Sequence, residues 1–167
     1  MKKTMLFAIA GLLLSGCEYE SPFTTEHRIA IDPSVLGVWA PKPKEGDEPK
    51  DDVRMMILKY SDTEYLIHYP AGDDGIYYRG YPIKIGGISC VQLQIVGTKN
   101  GPPKKDEKEL FHAVSYQLTN GDLEIKTLNT DLVADKLKTT SELREAFEKQ
   151  KDNNDLFKDL GLFEKRK

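Results

Sequence analysis

Three histidines, an acidic pair, two cysteines and a concentration of tyrosines are the residues here with chemistry to offer. His27, His68 and His112 are well separated, and a zinc centre needs three or four ligands. No His, Cys, Asp or Glu cluster supplies them, so no metal site is expected. His27 falls in an irregular stretch, and His68 and His112 read as strand histidines. Asp73 and Asp74 sit between Gly72 and Gly75 and carry the charge for a cation loop. They lack the alternating ligands and terminal glutamate of a calcium loop, and so read as a plain turn. There is no P-loop, nucleophile elbow, His-Glu-x-x-His or Cys-x-x-Cys, and neither an enzymatic activity nor a cofactor is expected. Six of the eight tyrosines lie between residues 60 and 81: Tyr60, Tyr65, Tyr69, Tyr77, Tyr78 and Tyr81. Tyrosine joins an apolar ring to a hydroxyl, which suits a binding surface. It is also a favoured strand residue. Trp39, Tyr65, Tyr69, Tyr77, Tyr78, Arg79 and Tyr81 form the candidate ligand or partner surface.

The N-terminus offers a different chemistry. Lys2 and Lys3 precede an uncharged apolar run from Met5 to Leu14, the length of a signal-peptide core. That run is too short to span a bilayer, which takes about 20 apolar residues. Leu14-Ser15-Gly16-Cys17 follows and resembles the lipobox of bacterial lipoproteins. The resemblance implies cleavage before Cys17 and attachment of lipid to its thiol and new amine. Two or three acyl chains make release very slow, at about 0.8 kcal/mol per buried methylene. Glu18 follows where an aspartate would favour the inner membrane in enteric-type sorting. The resemblance therefore implies an outer-membrane lipoprotein, on the periplasmic side. With Cys17 acylated, Cys90 has no partner in the chain and reads as a small buried hydrophobe.

Removing 16 of 167 residues leaves 151, enough for one domain with a core. Losing Lys2 and Lys3 takes the formal net charge from −3 to −5. That balance argues against nucleic acid, and against electrostatic docking on anionic lipid. The acyl chains are left as the expected membrane contact.

The elements that must position these residues read mainly as strands. Residues 17–33 have little apolar periodicity and read as a lipidated tether. Sixteen such residues reach roughly 50 Å when extended and about 20–25 Å as a coil. Residues 34–138 read as an antiparallel β domain of seven strands. They begin at Val35, Val53, Glu64, Ile76, Ile88, Glu109 and Leu123. Gly86-Gly87 and Asn120-Gly121 are hairpin turns, and Pro82 is expected to interrupt its strand. Met55 to Leu58 is apolar on both faces. That suggests a strand covered on both sides by a C-terminal helix, and with it a partial barrel.

Residues 139–167 read as a helical segment packed on the β domain. Thr139-Thr140-Ser141-Glu142 spells a capping box, and Leu143, Ala146 and Phe147 fall at helical spacing. Arg144 with Glu148, and Glu145 with Lys149, are i,i+4 pairs. A second short helix is expected over Asn154 to Leu160, ended by Gly161, with Leu162 and Phe163 as a last short strand.

Gly37-Val38-Trp39, which holds the sequence's one tryptophan, resembles the Gly-x-Trp of lipocalins. There the tryptophan closes one end of a barrel. Thr130-Asp131 resembles that family's Thr-Asp turn, although Leu132 stands where an aromatic is usual. The fold expected is therefore mainly β with C-terminal α, a lipocalin-like or partial barrel followed by one or two short helices. As a whole the chain resembles small lipoproteins of Gram-negative bacteria. The function expected is that of an envelope structural or assembly accessory meeting a protein partner. The alternative is a lipocalin-like module binding a small apolar or amphipathic ligand.

Overall fold

Alternating apolar side chains and tight turns build eight antiparallel strands. They are β1 (Gly37–Pro41), β2 (Met55–Ser61), β3 (Glu64–Tyr69), β4 (Ile76–Ile85), β5 (Ile88–Thr98), β6 (Phe111–Thr119), β7 (Asp122–Leu128) and β8 (Phe157–Arg166). The helix α1 (Thr140–Lys149) lies between β7 and β8. The computed structural model describes residues 19–43, 53–108 and 110–166. Cys17, Glu18 and the apolar run before them lie outside the described residues.

The sheet is a closed barrel in simple order, each strand beside the next and β8 beside β1. Closure leaves no sheet edge open. It is carried by β8, which pairs Leu123 with its Phe163 on one side and Trp39 with its Lys165 on the other. Of the lipocalin-like and partial barrels expected, the closed form is found; the correction is that residues from Phe157 onward form a ten-residue strand rather than a helix and a short strand. Pairing on both sides supplies hydrogen bonds that a short isolated helix lacks. A bulge explains the misleading pattern. Ile125 faces Gly161 while Thr127 faces Lys158, so β8 carries an extra residue there, with Asp159 at φ 58. Leu160 is pushed outward to 44 % exposure, which scrambles the alternation.

Other expectations hold or shift by a few residues. Gly86-Gly87 and Asn120-Gly121 do turn their hairpins, with positive φ at Gly86, Gly87, Asn120 and Gly121. Pro82 does not break β4; it stays in register with Val91. The capping box is formed: Thr139 Oγ1 accepts from Glu142 N at 3.2 Å, and Glu142 Oε2 accepts from Thr139 N at 3.0 Å. Glu145 pairs with Lys149 at 2.8 Å. Arg144 instead donates to the carbonyl of Phe23 at 3.3 Å. The helix does not cover β2, whose Leu58 is exposed; it packs beside β4.

Two separate apolar clusters result. Inside the barrel, Trp39, Ile57, Tyr65, Tyr78, Leu93 and Phe163 belong to one. Outside it, Tyr81, Ile83, Ile85 and Cys90 on the barrel wall meet Leu143 and Phe147 of α1. Tyr19 and Phe23 complete this outer cluster, both fully buried. The described part of the expected tether is thus not a free tether. Its aromatic side chains follow no helix or strand period, but they bury apolar area, worth about 1.5–3 kcal/mol for a large side chain.

Candidate functional site

The interior holds an apolar cavity of about 60 Å³, partly open to the outside. Met55 and Ile57 of β2, Ile67 and Tyr69 of β3, and Val91 and Leu93 of β5 supply much of its lining. β6, β7 and β8 close the far side with Val114, Leu123 and Phe163. All are inward positions of alternating strands.

One end of the barrel is floored by a single 3-10 turn, Pro33–Val35. Val35 lines the cavity, and its carbonyl accepts from Trp39 Nε1 at 2.8 Å. Lys165 Nζ lies 5.2 Å over the indole and donates to Ser34 O at 3.1 Å. Gly37 is needed here: its φ is 139°, and a Cβ would come within 2.9 Å of Lys165 Cε.

Asp32 ties the floor to the wall. Its N–H donates to Tyr65 Oη at 2.7 Å, and Tyr116 Oη donates to its carboxylate at 3.4 Å. Ser34 donates to the same carboxylate through its hydroxyl at 2.5 Å and its N–H at 2.9 Å. The Ser34 hydroxyl, above all, holds the Asp32 carboxyl below its ordinary range. Burial pushes the Tyr65 and Tyr116 phenols up. Both phenols face the cavity with their rings and spend their hydroxyls on Asp32.

The candidate residues divide between two sides of the wall. Trp39, Tyr65, Tyr69 and Tyr78 are buried in the interior. Tyr77 and Arg79 are on the outer face of β4. Tyr81 also faces outward but is covered, its ring stacked on His27 at 3.6 Å. On the outer face of β2–β4, Leu58 is in register with Leu66 and Leu66 with Arg79; His68 is likewise in register with Tyr77, on which it stacks at 4.0 Å. Tyr60, at 58 % exposed, lies against Arg79, whose guanidinium pairs with Glu64 at 2.5 Å.

Sequence reasoning gave no role to Gln92 of β5. It is buried, and its Oε1 accepts from Phe23 N at 2.6 Å and Thr24 N at 3.1 Å. Its Nε2 donates to Thr24 O at 3.1 Å. The segment 19–31 thereby crosses the outer wall from β6 to the β2–β3 turn, where Ile31 N donates to Asp62 O at 3.0 Å. His27 meets Glu64 on the way, at 3.1 Å. Only the aromatic residues at 19 and 23 hint at this in the sequence.

Of the remaining candidates, Cys90 is buried and its thiol is pushed up to about 12 by burial, which makes it unreactive. Asp74 pairs with Lys99 on the surface. His112 is buried beside Tyr78, with ring centroids 6.0 Å apart. No group of three potential metal ligands occurs among the described residues. No helix among them is long and apolar enough to cross a membrane. In comparisons with known proteins, no family model, no curated protein and no solved structure matches this chain.

Proposed function

We propose that this chain is an envelope lipoprotein whose barrel binds a small apolar molecule beside the membrane. The closed eight-stranded wall around an apolar void is the observation that carries the reading. Ligand pockets of this type are concave and lined mainly by apolar and aromatic side chains. The tyrosine hydroxyls nearest the floor are engaged by Asp32, so the guest is held by its hydrocarbon surface rather than by a polar head. Acylation of Cys17 and sorting through Glu18 to the outer membrane rest on the lipobox alone. No catalytic role is proposed.

The test uses the secreted Cys17→Ser chain. Xenon, small enough for a cavity of about 60 Å³, should shift the methyl resonances of Val91 and Leu123 saturably at one site per molecule, and native mass spectrometry should show retained small-molecule mass. Val114→Trp, which fills the cavity, should abolish both signals. Bare protein mass and no saturable xenon shift would sink the reading. Radiolabelled palmitate fed to cells should enter the parent chain and not Cys17→Ser.

The outer face of β2–β4 favours a second reading, the protein-interaction accessory. Leu58, Tyr60 and Tyr77 are exposed there around Arg79. A photo-crosslinker at Tyr77 should trap one partner reproducibly in cells. Diffuse products would count against it. Tyr81 is buried and unsuited to that experiment.

A further inference from the structure

We propose that the barrel lies directly on the membrane surface instead of standing off on a tether. The corner formed by Tyr19, the β5–β6 loop and the loop 134–139 sits at the level of the phosphate headgroups. The inference rests on the reading of Cys17 as the acylated residue.

Tyr19 is fixed to the wall. Its N–H donates to Phe111 O at 2.7 Å, and Phe111 N donates back to its carbonyl at 3.1 Å. Its hydroxyl donates to Val133 O at 2.8 Å, and its side chain is fully buried. Only Glu18 separates it from Cys17. Consecutive Cα atoms are about 3.8 Å apart, so two peptide units give a lipid attached there a reach of no more than roughly 8 Å of backbone from Tyr19. The acyl chains therefore enter the bilayer at this corner, and a free sixteen-residue spacer does not exist.

The charges at the corner suit a headgroup layer. Glu20 pairs with Lys138 at 2.7 Å, and Ser21 donates to the Lys138 carbonyl at 2.6 Å. The Lys138 hydrogen bond holds the Glu20 carboxyl below its ordinary range, with the charge of Lys108 adding to it. Lys104, Lys105 and Lys136 are also exposed on these two loops. Their stems can lie along the interface with the ammonium groups at phosphates. Asp106, Glu107 and Asp135 are interspersed, so the acyl anchor holds the domain down and the lysines settle its orientation.

The test compares two ends of one strand. β6 runs nine residues from Phe111 to Thr119, about 27 Å at 3.4 Å per step, to the Asn120-Gly121 turn. A fluorophore is attached at Lys108→Cys or at Asn120→Cys in the acylated chain, and Cys90, buried, does not compete for the label. Each labelled chain is placed in nanodiscs of phosphatidylethanolamine and phosphatidylglycerol with an acceptor on the headgroups. Energy transfer should be several-fold stronger from position 108 than from 120. Tyr19→Ala should shrink that difference while the chain stays membrane-bound. Equal transfer from both positions in the parent background would overturn the docking and leave the acylation reading intact. A chain that fails to co-float with the discs would overturn the acylation reading, and this inference with it.

Discussion

The inside and the outside of this barrel wall are both apolar, yet they are built differently. The interior cluster surrounds a void of about 60 Å³. The outer cluster, between the wall, α1 and the segment from Tyr19, is cross-linked by hydrogen bonds. Gln92 holds Phe23 and Thr24, Arg144 reaches the Phe23 carbonyl, and Thr140 donates to Pro22 O at 2.6 Å. Phe23 meets Tyr19 and Phe147 edge-on at 5.2 and 6.2 Å. A barrel that leaves space in its centre forgoes packing contacts there. Here a second core, on the outside, makes up for them. Under the proposed function, stability and binding fall on opposite faces of the same strands.

Four measurements can break or sharpen that contrast. The largest effect is expected at Phe147, the fully buried aromatic of α1. Phe147→Ala should cost about 3–5 kcal/mol in urea unfolding. A loss under 1 kcal/mol would mean that the outer cluster is not a true core. Next is Gln92→Leu, which strands two N–H groups and should cost roughly 1–3 kcal/mol. Hydrogen exchange should accelerate at Phe23 and Thr24 and stay unchanged inside the barrel.

A matched pair then asks whether the two sides have different room. Val133→Ile adds a methyl to the outer core and should destabilise by about 1–3 kcal/mol through overpacking. Val91→Ile adds one to the cavity and should stay within about 1 kcal/mol of the parent while weakening xenon binding. Equal costs would refute the difference in packing.

The smallest effect concerns acid. The Asp32 carboxyl titrates below its ordinary value of 3.8 in the folded chain, chiefly through the Ser34 hydroxyl. Its contribution is therefore present above 3.8 and disappears as pH falls through the folded value. Trp39 fluorescence should report a floor transition in that acid range, and Asp32→Asn should flatten it. Glu20 and Glu142 on the outer side are also held below their ordinary range, by Lys138 and Thr139, so the part of the acid response that Asp32→Asn removes is the floor's own.

Much of the wall was legible in the sequence. The Gly86-Gly87 and Asn120-Gly121 turns and the Thr139 capping box each belong to a short stretch of chain, and each is found as read. What was not legible depends on distant partners. Residues 154–160 carry a helical stripe of Leu156, Phe157 and Leu160, but β8 answers to β1 and β7, which lie far away in the sequence. Gln92 looks like any outward glutamine until Phe23 is laid over it. The candidate tyrosines were found as a set. Their division into inward Tyr65, Tyr69 and Tyr78 and outward Tyr77 follows from alternation along β3 and β4. The burial of Tyr81 does not, because His27 comes from outside the sheet.

The ring is fastened where its first strand meets its last, with Val38 beside Arg166 and Pro41 beside Phe163. That seam orders events in time. A chain emerging N-terminus first carries β1 with one side unpaired, and then β7 as well, until Phe157–Arg166 arrives to bridge them. Until then both flanks are open templates for another strand, and the decisive contacts are of the long-range kind that form slowly. Loss of the last ten described residues would therefore do more than shorten the protein. It would leave a curved sheet with two adhesive margins in place of a ring, and self-association would be its characteristic failure.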